Sequence, residues 1–100
     1  MSLAEVFSQD RRLVILRLLA EDLDHTLNTS VLQDALALIG HGCSRDCVET
    51  ECSWLEEQRL VAVEHVGTDN AVTVVRLTGR GQDVAEGRAT VPGVKRPRAR

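Results

Sequence analysis

Apolar residues at i, i+3, i+4 and i+7 mark the clearest helix of this chain, through Leu32, Ala35, Leu36 and Ile39. Leu27 and Leu32 flank Asn28 as a hydrophobic staple around an N-cap, and Gly40 ends the helix. Upstream, Ser2 and Glu5 have capping-box spacing, which predicts a first helix between Ser2 and Asp22. Its run Leu13 to Ala20 is apolar on more than one face, interrupted only by Arg17. Such a helix is either central to the fold or shared with a second subunit. After the turn Gly40-His41-Gly42, Ser44 is placed to cap a third helix reaching Gln58. Val48, Cys52 and Leu55 form its core face, with Cys47 and Trp54 along the margin.

The pattern then changes period. Leu60 to Val66 and Val72 to Leu77 are rich in Val, and Gly67-Thr68-Asp69-Asn70 between them supplies turn formers, which predicts an antiparallel hairpin. Thr78 can cap a last helix running to about Ala89. The fold class is therefore mainly α with a small antiparallel β-hairpin, the hairpin needing the helices to cover its apolar face. From Val91 onward no periodicity remains, so residues 1–90 are read as one domain and 91–100 as a basic tail, disordered in isolation.

Composition narrows the function. One hundred residues suit a single hydrophobic core. Phe7 and Trp54 are the only aromatics, so base stacking on aromatic platforms is excluded and with it a single-stranded nucleic-acid module. No apolar run approaches the roughly 20 residues of a membrane span, and no signal-peptide pattern opens the chain. A cytoplasmic protein of a bacterial host, with no membrane contact, is the expectation. The net charge of -3 hides an asymmetry: Lys95, Arg96, Arg98 and Arg100 lie in the last six residues, while residues 1–94 carry 8 basic against 15 acidic side chains.

Two segments carry a family resemblance. Trp54-Leu55-Glu56-Glu57-Gln58-Arg59-Leu60-Val61 is similar to the end of the recognition helix and the first wing strand of winged-helix regulators of the ArsR and MarR type. Arg76-Leu77-Thr78-Gly79-Arg80-Gly81 is similar to that family's passage from strand to helix. With the stretch Ser2 to Leu19 and the tail Val91-Pro92-Gly93-Val94-Lys95, the chain most resembles small ArsR-like proteins of Mu-like phages and prophages. The resemblance implies a winged helix-turn-helix made of Leu27 to Ile39 and Ser44 to Gln58, a wing at Val66 to Val72, and a dimer through the terminal helices. It also implies that the third helix enters a major groove, N-terminal residues first.

The side chains of that helix complicate this expectation. At about 100° per residue, the arc opposite Val48, Cys52 and Leu55 holds Arg45, Asp46, Glu49, Thr50, Ser53, Glu56 and Glu57. One cation among four carboxylates opposes binding to phosphates. Arg45, Thr50 and Ser53 are the candidate contacts there, and the wing tip adds Asp69 but no Lys or Arg. Arg76, Lys95, Arg96, Arg98 and Arg100 complete the candidate DNA-binding set; Arg76 has Glu64 across the hairpin as an alternative partner. Such an acidic helix equally suits a basic protein partner.

Cys43, Cys47 and Cys52 with His41 invite comparison with a metal sensor, but Cys47 and Cys52 do not share a helix face and no C-x-x-C pair occurs. Free thiols, no metal and no cofactor are expected. No phosphate-cradling glycine loop, nucleophile elbow or H-E-x-x-H motif is present, so no enzyme is predicted. The sequence reading is a phage winged-helix protein that binds double-stranded DNA as a transcriptional regulator. A repurposed protein-interaction module is the alternative, and a thiol-based metal sensor ranks third.

Overall fold

The computed structural model describes residues 1–98. Its elements are α1 (Leu3–Glu21), β1 (Thr26–Asn28), α2 (Thr29–Leu38), α3 (Arg45–Glu57), β2 (Val61–Val66), a single 3₁₀ turn (Thr68–Asn70), β3 (Val72–Leu77) and α4 (Gly79–Ala85). Each helix starts on an N-cap legible in the sequence. Ser2, Asn28, Ser44 and Thr78 accept from the backbone N–H groups of Glu5, Val31, Cys47 and Gly81.

The helix ends are equally regular. After α3, Arg59 adopts φ +62°, its N–H donates to Glu56 O, and the Leu60 N–H donates to Leu55 O. This is a Schellman closure with an arginine where glycine is usual. After α4, Gly87 takes φ +83° and the same closure forms through Val84 O and Asp83 O. It stops α4 at Ala85, short of the expected Ala89, because a left-handed residue cannot continue the helix.

The sheet has three antiparallel strands in the order β1-β3-β2, one more than the expected hairpin. Thr26, Leu27 and Asn28 pair with Arg76, Val75 and Val74. Three residues are too short to show a period-2 pattern, so β1 exists through its partner strand. On β2 and β3, Val61, Val63 and His65 lie opposite Leu77, Val75 and Thr73 and face the helices. Ala62, Glu64 and Val66 lie opposite Arg76, Val74 and Val72 on the outer face.

The core confirms the central place of α1. Leu13, Ile15, Leu16 and Leu19 are buried with Leu32 and Leu36 of α2 and with Val48, Cys52 and Leu55 of α3, while Leu60, Val61, Val75 and Leu77 close it from the sheet. The same core reaches past residue 90. Val91 and Val94 are buried, the Lys95 N–H donates to Gln9 O, and Gly93, at φ +98°, lies so close to Trp54 that a Cβ there would stand 2.6 Å from the ring. Residues 91–95 therefore form a strap on α1, which corrects the expected boundary at 90. Two valines three residues apart carry too little periodicity to announce it. Arg96 and Arg98 are exposed, and Arg100 lies outside the described residues.

Candidate functional site

Arg45 opens α3 and is exposed, as are Asp46, Glu49, Thr50, Ser53, Glu56 and Glu57 on the same helix. The Arg45 Nε–H donates to Gln33 Oε1 of α2 at 3.0 Å. Gln33 Nε2 donates in turn to Cys43 O at 3.2 Å, so one amide joins α2, the turn before α3 and the α3 cation. Arg45 shares a cleft of about 230 Å³ with the N-cap Asn28 and Thr29 and Ser30 of the first turn of α2, Glu49 of α3, and Asn70 and Thr73 of the hairpin. At this meeting of α2, α3 and the hairpin, α3 presents its cation beside uncharged polar side chains and Glu49.

Thr50 and Ser53 open on a neighbouring groove of about 320 Å³, shared with Glu49, Glu56, Val63, His65 and Thr73. Here the carboxylates are not equivalent. Glu56 Oε2 accepts the Val63 N–H at 2.9 Å, turning back onto the free edge of β2 and capping a strand donor that would otherwise be available for pairing. Asp46, Glu49 and Glu57 have no such engagement among the described residues.

Arg76 does not join this surface. It lies on the outer face of the sheet with Ala62, Glu64 and Val74, away from α3. No ion pair with Glu64 forms among the described residues, because Glu64 stands opposite Val74 and only diagonal to Arg76.

Lys95 belongs to a third location. Its Nζ lies 3.2 Å from Asp10 Oδ1, and Asp10 Oδ2 is 2.5 Å from His41 Nε2. Burial acts to raise the pKa of Asp10, but the hydrogen bonds and charges of His41 and Lys95 outweigh it and hold the carboxyl below its ordinary value. The node ties α1, the turn between α2 and α3, and the strap. Met1, Val6 and Phe7 wall the groove above it and remain exposed.

A buried charged cluster escaped the sequence reading. Glu51, 5% exposed, receives Arg12 Nε at 2.9 Å and Arg11 Nη1 at 3.3 Å. Arg12 also donates to Gly93 O at 3.0 Å and stacks on Trp54. A signal existed: Glu51 follows Val48 by three residues and precedes Leu55 by four, a core position on α3.

The thiols are not arranged as a metal centre. Among the described residues no group of three or more His, Cys, Asp or Glu side chains could hold a metal ion. Burial, then the charges of Glu51 and Glu49, push the Cys52 thiol up to about 12. Burial and the hydrogen bond with Cys47 push Cys43 up to about 11. High pKa values keep both thiols protonated and disfavour nucleophilic chemistry. Among the described residues no helix is long and apolar enough to cross a membrane.

The chain is 54% identical over 96 residues to uncharacterized protein gp26 of Escherichia phage Mu, 96% of each chain being covered. The chain belongs to the family of Mu gp26. An uncharacterized protein of Haemophilus influenzae is 48% identical over 66 residues, which is 66% of this chain and 64% of that relative. No protein-family model matches the chain.

Proposed function

We propose that this member of the Mu gp26 family is a winged helix-turn-helix protein of the ArsR and MarR type that binds double-stranded DNA as a phage or prophage transcriptional regulator. The observation that carries the reading is the cleft in which the first turn of α2, the N-terminal turn of α3 and the hairpin converge on Arg45. A helix-turn-helix presents the N-terminal residues of its second helix to base edges while the first crosses the backbone, and a hairpin beside them is placed to follow the flanking phosphates. Thr50 and Ser53 continue the same exposed face, and Arg96, Arg98 and Arg100 supply a basic arm. The resemblance of Trp54 to Val61 and of Arg76 to Gly81 to that family agrees with this order of elements. Its role on DNA would be that of a homodimer, supported by Met1, Leu3, Val6 and Phe7 exposed along one end of α1.

The test is binding to random duplex DNA at two low salt concentrations. Affinity should fall steeply with salt, and a chain ending at Lys95 should show a shallower slope, by about 0.9 for each phosphate that the arm no longer neutralises. Absence of binding at low salt would transfer the acidic face of α3 to the second reading, a basic protein partner. Asp46, Glu49 and Glu57 favour that reading, being exposed and unengaged among the described residues.

A further inference from the structure

We infer that Gln33 is a positioning residue that keeps Arg45 off its own helix's carboxylates and presents it to a DNA phosphate in the cleft between α2, α3 and the hairpin. The inference rests on the proposed DNA binding and names one contact within it.

The difficulty on α3 is that its single exposed cation stands one residue from Asp46 and four from Glu49. Residues four apart on a helix are neighbours, so an unconstrained Arg45 is free to pair with Glu49 part of the time. In the structure it does not do so. Among the described residues Arg45 makes no ion pair, and its Nε–H is given to Gln33 at 3.0 Å.

Gln33 is suited to hold it there. The side chain is half-buried, and its amide orientation is decided by its neighbours: Cys43 O can only accept and Arg45 Nε can only donate. One orientation of the amide satisfies both. With Nε engaged, both Nη groups remain unpartnered among the described residues, and Arg45 lines the cleft with Asn28, Ser30, Asn70 and Thr73. Glu49 lines the same cleft, so a phosphate is accepted only when Arg45 is not already paired with Glu49. A planar guanidinium with two free Nη groups matches phosphate oxygens, and uncharged hydroxyl and amide neighbours can donate to the rest.

Two measurements test this on the full chain. In the free protein, the Arg45 Nε–H should be ordered by NMR relaxation and become mobile in Gln33→Met, which keeps the stem and removes both hydrogen bonds. On random duplex DNA, Gln33→Met should weaken binding by about 3- to 10-fold, the cost of ordering one rotamer-rich side chain at the moment of binding. It should cost nothing further when Arg45 is already alanine. Glu49→Gln should then restore more affinity in the Gln33→Met background than in the parent. A mobile Arg45 Nε–H in the parent, or an equal loss with and without Arg45, overturns the inference while leaving DNA binding intact. An ordered Nε–H with no DNA binding at low salt overturns the DNA reading and removes the phosphate role with it. If Gln33→Met melts early, the parent's Nε–H order together with an Arg45→Ala and Glu49→Gln cycle decides: independent effects of those two substitutions overturn the inference.

Discussion

The guanidinium of Arg12 lies over the indole of Trp54 at 3.9 Å from its centroid. From that position its Nε reaches Glu51 and its Nη1 reaches Gly93 O, so one side chain of α1 gathers α3 and the strap. A cation stacked on an indole and paired with a buried carboxylate is worth most when complete.

Removing Glu51 should therefore be costly. Glu51→Ala leaves two largely buried guanidinium groups without their acceptor, and the expected loss is about 3 kcal/mol or more in urea unfolding. A loss below about 1 kcal/mol would mean that solvent replaces the carboxylate freely, as at surface pairs.

The strap and the basic arm should separate on truncation. A chain ending at Lys95 keeps Val91, Gly93 and Val94 and should melt like the parent. One ending at Thr90 lacks both buried valines, each worth about 1.5 kcal/mol or more. Gly93→Ala should lower the melting temperature as well, since the new Cβ would collide with Trp54 at a backbone angle that alanine tolerates poorly. Equal melting temperatures for the two truncated chains would refute the strap.

Asp10 sets a pH dependence with a definite sign. Its folded pKa lies below the ordinary value of 3.8, so the folded chain binds fewer protons there than the unfolded one. Its contribution is fully present above the unfolded pKa and is lost as pH falls through the folded one. The parent should be more stable than Asp10→Asn at pH 6, and the difference should shrink progressively as pH falls below the ordinary carboxyl value of 3.8. A difference that stays the same from pH 6 down to the acid limit of the folded state would assign the effect to packing instead of charge.

Arg59 offers the opposite test, a gain. It occupies a left-handed position at the end of α3, a conformation costing a residue with Cβ about 1 kcal/mol that glycine avoids. Arg59→Gly should raise stability by up to about 1 kcal/mol in urea unfolding. A clear loss would show that the Arg59 side chain makes a compensating contact.

Local chemistry determined much of this protein in advance. Ser2, Asn28, Ser44 and Thr78 are N-caps because short polar side chains satisfy the first free N–H groups of a helix, and that depends only on neighbours in sequence. The Val-rich runs and their turn were legible for the same reason. So was the exposed face of α3, since the helical period alone puts Arg45, Thr50 and Ser53 opposite Val48 and Leu55. Tertiary structure decided the rest. β1 exists because β3 pairs with it, the strap because α1 and Trp54 receive it, and Glu51 is buried because Arg11 and Arg12 arrive from forty and thirty-nine residues away. It also divided the candidate cations, sending Arg76 to the outer sheet face and Lys95 to Asp10, and leaving Arg45 held by Gln33. Periodicity reports which face a residue occupies, whereas ion pairs and edge pairings depend on distances between segments that only the packed core brings together.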